Sequence, residues 1–366
     1  MTKPADRPPT TGSFNWAKAN MQQLLRHMVG KGATDLHLSA GAPPYLRVRT
    51  GLQTMATPPV PADVVQSMIY QVLTTQQRAT FEEMDELDAG IRFETPPPLR
   101  FRINVHRERG AVGCVIRHIP TKIPSLNELR MPPIVKQLAG LKDGLVMVTG
   151  PTGHGKSTTQ AAMIAHINET RFCSIVTIED PIEYLHPNKK ALVIQREVGA
   201  DTKSFQSALR HTLRQDPDVI LIGEMRDLET VRSVIRLAET GHLVISTFHS
   251  TTAREAIESM IGIFPAEYQN QVRMQLSSSL RGIIVQRLLP TADDSGVVPA
   301  LEVLVATNAV RNLVMQGHLN QLQSSIETGS QDGMMSFDAH LRQLLDRGQI
   351  TPEIARANAR DPKKFA

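Results

Sequence analysis

One run of eight residues constrains this chain more than any other. Gly150-Pro151-Thr152-Gly153-His154-Gly155-Lys156-Ser157 has the spacing G-x-x-x-x-G-K-S. Its glycines let the backbone turn N–H groups toward a polyphosphate. Lys156 brings a compact positive charge to the β- and γ-phosphates, and the Ser157 hydroxyl is a ligand for Mg²⁺. An apolar strand, LVMVTG, leads into the run, and a helix-compatible stretch, KSTTQAAMIAHI, starting with Lys156, Ser157 and Thr158, leads out of it. A Gly-rich turn carrying a surface lysine would need neither flank, so the expected ligands are ATP and Mg²⁺.

The segments around this loop predict its setting. GLVMVTG (144–150), CSIVTIED (173–180), VILIGEM (219–225) and HLVISTF (242–248) are near-continuous apolar runs separated by helical stretches, the pattern of a parallel sheet covered on both faces. Three of them end in groups able to do chemistry at the carboxyl edge, where ligands of open α/β sheets collect. Glu224 is suited to polarise an attacking water, or alternatively to cap the next helix. Thr177-Ile-Glu179-Asp180-Pro-Ile-Glu183 places three carboxylates where a triphosphate would be repelled unless a divalent cation intervened, so Glu179, Asp180 and Glu183 are candidate holders of Mg²⁺. As an isolated segment it would read as a solvated turn. His249 ends the fourth strand and is a candidate contact for a γ-phosphate or the lytic water, whereas His242, at its start, reads as structural.

The first third differs. Apolar residues from Asn15 to about Val29 recur at helical spacing. Alternating stretches at 36–39, 45–49, 90–94, 100–108 and 112–119, with helices between Pro61 and Met84, predict a small α+β domain with an antiparallel sheet. Arg100, Arg102, Arg107, Arg109 and Arg117 lie on its last strands, either as a solvated face or as a source of charge for a phosphoryl-transfer site whose own loop has no flanking arginine. The segment IPTKIPSLNELRMPP breaks both periodicities and marks a boundary near Pro120. The expected division is a flexible tail (1–13), an N-terminal domain (14–120), a linker (121–133), an α/β core (134–306) and a helical C-terminal region with a charged tail (307–366).

Composition narrows the function. At 366 residues two domains are expected, since one domain takes about 100–200 residues. Hydrophobic residues at 41% against 21% charged exclude wholesale disorder. A net charge of +4 with 4% aromatics gives no nucleic-acid footprint, and no nucleic-acid partner is expected. Cys114 and Cys173 sit in apolar runs and read as reduced thiols, pointing to the cytosol. The opening MTKPADRPPTTGS has no secretory pattern, and no apolar run approaches a spanning helix.

Taken together, these motifs resemble the secretion-type hexameric ATPases, and within them the type IV pilus retraction motors of the PilT/PilU type. Leu213 to Asp227 (LRQDPDVILIGEMRD) fits that superfamily's signature, and Thr177–Glu183 and Gly241–His249 resemble its Asp and His boxes. Thr34-Asp35-Leu-His37-Leu-Ser39, Arg100-Phe-Arg102 and Arg109-Gly110 resemble its PAS-like N-terminal module. The resemblance implies a RecA-like P-loop NTPase core behind that module, a homo-hexamer, and arginines donated from the first domain, for which Arg102, Arg109 and Arg117 match best. It also implies work at the cytoplasmic face of the inner membrane with an integral platform protein, and a paralogous retraction ATPase as a further partner. Two widely spaced cysteines, in place of a four-cysteine zinc module, and a start directly in the PAS-like part favour retraction over assembly or secretion. Three departures stand out. His154 replaces a small residue and is tolerated if its side chain points outward, Gly223 stands where many phosphate loops place a magnesium-linked Asp, and Met315-Gln316 replaces an Arg-Glu pair, which keeps an accessory PilU-like role open. A DNA translocase or a non-catalytic ring subunit are the rival readings.

Overall fold

The computed structural model describes residues 16, 20–48, 51–93, 99–119 and 122–365. The chain divides into two compact units, Met1–Thr121 and Lys122–Ala366. The expected tail over 1–13 and the boundary residue Pro120 lie outside the described residues.

The first unit is a six-stranded antiparallel sheet with helices Met21–Gly30, Ala62–Tyr70 and Thr75–Met84. Its strands are β1 (Asp35–Leu38), β2 (Tyr45–Val48), β3 (Gly51–Thr54), β4 (Glu86–Phe93), β5 (Leu99–Glu108) and β6 (Ala111–Ile119), in the order β3-β2-β1-β6-β5-β4. Strict alternation explains β5, where Leu99, Phe101, Ile103 and Val105 are buried and the residues between them are not. The first helix begins later than the periodicity predicts. Asn20 caps it by accepting from the Gln22 N–H at 2.8 Å, and Gly30 is its last residue. β3 is fully exposed and carries no alternation to read.

The second unit is built on a seven-stranded sheet. β7 (Gly144–Thr149), β8 (Ser174–Glu179), β9 (Leu192–Glu197), β10 (Val219–Ile222), β11 (Leu243–Phe248), β12 (Leu280–Pro290) and β13 (Val297–Val305) run in the order β13-β12-β7-β11-β10-β8-β9. All neighbours pair parallel except β12 with β13, so the expected parallel sheet carries one antiparallel edge strand. Period-two packing shows both faces covered. Leu145 and Met147 of β7 belong to one buried cluster, and Val146 and Val148 to another.

The segment expected as a linker is packed, since Leu126 and Met131 are buried in the second of these clusters. Beyond β13 the chain is helical, with Asn308–Gln316, Leu322–Thr328, Phe337–Asp346 and Pro352–Asn358. The expected charged tail is instead a short 3-10 turn, Pro362–Phe365, whose Phe365 is buried with Leu289 of β12 and Val298 of β13. One apolar ring at the end of a charged stretch is enough to dock it.

Candidate active site

β7 is buried along its whole length and delivers Gly150 at the carboxyl edge of the sheet. Gly150, Gly153 and Gly155 have φ of +143°, +80° and +77°, a region closed to most side-chain-bearing residues. At Gly150 a Cβ would also strike the main-chain oxygen of Gln286. The helix Lys156–Thr170 starts at once, with Gly155 at its N-cap and no side chain satisfying the first N–H groups. An uncapped helix start behind glycines held at positive φ is a fitting cradle for phosphates. Pro151 is half-buried, and Thr152 and Gly153 are exposed at the lip of the loop. The Lys156 ammonium is buried and donates to the carbonyls of Gly150 at 2.8 Å and Pro151 at 3.0 Å. Burial pushes this ammonium below its ordinary range, while the Glu224 and Glu183 carboxylates act to raise it, which places both charges near the loop. Ser157 and Thr158 are half-buried in the first helical turn, and the Thr158 hydroxyl meets the Tyr184 hydroxyl at 3.0 Å.

His154 does not point outward. Its Nδ1 accepts the Leu288 N–H at 2.9 Å, and its carbonyl accepts from the Gln286 side-chain amide at 2.8 Å. Gln286 also accepts from the Thr159 hydroxyl at 2.7 Å, so β12 braces the loop from behind. Burial first, then Arg287 and Lys156, hold the His154 imidazole below the usual histidine range and keep Nδ1 free to accept. Folding therefore brings Arg287 near a loop that has no arginine beside it in sequence.

β10 ends at Ile222, and Gly223 and Glu224 follow where the Thr247 hydroxyl, donating to the Gly223 carbonyl at 2.6 Å, ties the turn to β11. The Glu224 carboxylate accepts from Arg226 Nε at 2.8 Å and pairs with Nε2 of the exposed His249. Burial acts to raise Glu224, but Arg226 and His249 outweigh it, and the carboxyl sits below its usual range. Such a group stays ionised and orients a water better than it removes the proton outright. His242 is held at the start of β11 by the Leu237 carbonyl and the Thr240 hydroxyl, remote in role from chemistry.

In the acidic loop, Glu179 accepts from the Thr177 hydroxyl at 2.6 Å and the Gln195 amide at 3.1 Å. Burial pushes its carboxyl up against those bonds. Asp180 is exposed and Glu183 half-buried. Among the described residues no three His, Cys, Asp or Glu side chains gather into a metal cage. A Mg²⁺ ion fits here through phosphate oxygens, the Ser157 hydroxyl and water, with at most one or two carboxylates.

In the first unit, Arg102 lies 3.6 Å from Asp88 and Arg117 Nε bonds Asp35 at 2.7 Å. Asp35 is buried. Arg109 is exposed in the β5–β6 turn with φ of +49°.

Comparison with protein families matches residues 15–298 to the type II/IV secretion system protein. The chain belongs to this family. Within it, the type IV pilus retractation ATPase PilT of Pseudomonas aeruginosa is 44% identical over 94% of this chain and 100% of its own length. PilU, the type IV pilus ATPase of the same organism, is 42% identical over 92% of this chain and 88% of its own. A crystal structure of the pilus retraction motor PilT with bound ADP superposes with a TM-score of 0.86 at 43% identity, covering 95% of this chain and 99% of that one.

For this secretion-family chain, sequence reasoning assembled the loop, Glu224 and His249, and missed what holds them. Gln286 was findable as a polar residue inside the apolar run GIIVQRLL, a signal of a strand with an inward task. Arg226 was visible two residues from Glu224. Nothing local marks Tyr184 or Gln195.

Proposed function

We propose that this chain hydrolyses ATP to drive retraction of a type IV pilus, the process behind twitching motility, as a homo-hexamer at the cytoplasmic face of the inner membrane. What carries the reading is the Glu224–His249 pair beside the Lys156 loop, in a chain matching a retraction ATPase along 94% of its length.

The residues divide the work by position. Loop N–H groups from Gly150 to Gly155, with Lys156, Ser157 and Thr158, bind and orient the polyphosphate. In doing so Lys156 exchanges the Gly150 and Pro151 carbonyls for phosphate oxygens. Ser157, with Glu179, Asp180 or Glu183 directly or through water, would hold Mg²⁺, which would supply positive charge to offset that of the phosphates. Glu224 orients a water, and His249, bonded to it, registers loss of the γ-phosphate. Arg102, Arg109 or Arg117 supplies positive charge to the transition state, donated to its own or a neighbouring site in the ring. An integral platform protein takes up the motion. No described helix is long and apolar enough to cross a membrane.

The test is genetic and biochemical. A strain lacking the gene should keep surface pili and lose twitching, and a Lys156→Ala copy should not restore it. Motility unchanged by the deletion would end the proposal. A second reading, an accessory PilU-like subunit, draws on Met315-Gln316 at the end of helix Asn308–Gln316 and on the 42% identity to PilU. It is separated by dependence on a partner: the accessory reading needs a paralogue for motility even when this chain hydrolyses ATP unaided.

A further inference from the structure

The C-terminal segment reaches back to the loop that carries His249. Arg360 donates to the carbonyl of Thr251 at 3.3 Å, to Gln323 Oε1 at 3.1 Å, and to Oε2 of Glu302. Glu302, on β13, is fully buried, and its other oxygen accepts the Ala253 N–H at 2.8 Å, the first of the helix Ala253–Gly262. Arg360 is itself fixed, since its own N–H and that of Asp361 both donate to Asp338, and its guanidinium lies over Phe337. On the other side of Thr251, Ser250 meets the hydroxyl of Thr149, the residue before Gly150, through its N–H at 2.9 Å and its hydroxyl at 2.8 Å. A cavity of about 370 Å³ is lined by Pro151 of the phosphate loop together with Thr251, Gln286, Arg287, Phe337 and Arg360.

These contacts form one chain from the end of β7 through residues 249–252 to the C-terminus. A buried carboxylate paired with a single guanidinium is costly to separate, so the pair holds its surroundings in one arrangement. We propose that Arg360 is a positioning residue of the hydrolytic site: with Glu302 it clamps the His249–Thr252 loop, so that Glu224 and His249 stay aligned, and it carries movement of that loop to the C-terminal helices. The inference rests on the ATPase reading above. It assigns to the end of the chain a part in hydrolysis rather than in packing alone.

The experiment compares wild type, Lys156→Ala, Arg360→Ala and the double variant Arg360→Met with Glu302→Gln, all in the full chain. Each is measured for kcat and KM for ATP per folded molecule, and for its melting temperature. Arg360→Ala leaves Glu302 buried without its cation and melts lower. The double variant removes that charge while keeping volume, and should melt near wild type. Clamping predicts that both lower kcat by about tenfold, the scale of a small misplacement of reacting groups, with KM within about twofold. A double variant that melts and turns over like wild type overturns the clamp, because packing alone then accounts for the pair. So does an Arg360→Ala loss that vanishes once kcat is counted per folded molecule. A wild type no faster than Lys156→Ala would instead sink the ATPase reading, which keeps the two failures apart.

Discussion

At the scale of single residues, the phosphate loop is the most legible part of the molecule because its chemistry is contiguous. The proposed roles of Lys156, Ser157 and the glycines depend on main-chain geometry that eight neighbouring residues specify. Substituting Lys156→Ala should abolish detectable turnover. Glu224→Gln, which keeps shape and removes the charge, should lower kcat about 100-fold with nucleotide binding retained, the usual scale for losing an acid–base group. Phosphate-release kinetics beside nucleotide titration check both, and near-wild-type rates would remove Glu224 from the mechanism. Gly150→Ala tests the backbone argument, since a methyl group there faces both φ of +143° and the Gln286 main chain. It should cost at least about 2 kcal/mol in chemical denaturation and weaken nucleotide binding. His154 was less legible. Its partner Leu288 lies 134 residues away, and no local spacing reports such a contact.

At the scale of elements, strands buried on both faces could be read directly, and β7, β8, β10 and β11 stand where their apolar runs are. β9 and β3 escaped because edge strands with half-exposed or exposed side chains carry neither continuous nor alternating hydrophobicity. β12 escaped because Gln286 and Arg287 interrupt it; Gln286 bonds the phosphate loop and Arg287 lies over Phe337. The C-terminal helices dock on β13 partly through His340, whose Nδ1 accepts the Leu301 N–H at 2.9 Å. Burial, with Arg347 adding, pushes His340 from 6.5 to about 4, and burial alone takes His186 to about 4 as well. A histidine whose folded value is depressed takes its proton sooner when unfolded, so its share of stability is intact above 6.5 and is lost as pH falls through the folded value. The melting temperature should therefore fall between pH 6.5 and about 4. His340→Asn, which keeps an acceptor and removes the titration, should melt about 2–4 °C lower at neutral pH and show a shallower acid limb. Parallel limbs in the two proteins would place the acid sensitivity elsewhere.

At the scale of the whole molecule, each unit has its own buried core. Residues from Trp16 to Ile116 make one, and those from Leu126 to Phe365 make the others. A core sufficient in itself predicts independent folding, so residues 122–366 expressed alone should unfold in one cooperative transition. The phosphate loop, Glu224, His249 and Arg360 all lie in that fragment, which should still bind ATP. Hydrolysis is another matter if Arg102, Arg109 or Arg117 supplies charge to the transition state, because all three are removed with the first unit. An arginine arriving at a phosphoryl-transfer site is worth on the order of 1,000-fold or more in rate. The fragment should thus bind nucleotide with near-wild-type affinity and turn over at least about 100-fold more slowly, allowing for an incomplete arginine effect. Single Arg→Ala changes at the three positions in the full chain then identify the donor by reproducing the fragment's defect. The comparison is decisive in both directions. Full turnover by residues 122–366 would make the first unit dispensable to chemistry and leave its arginines as the solvated strand face that interleaved charges ordinarily are. A fragment that binds but does not hydrolyse would locate the missing charge in a separately folded body, the arrangement a motor needs if breaking a phosphate bond is to move one part of the protein against another.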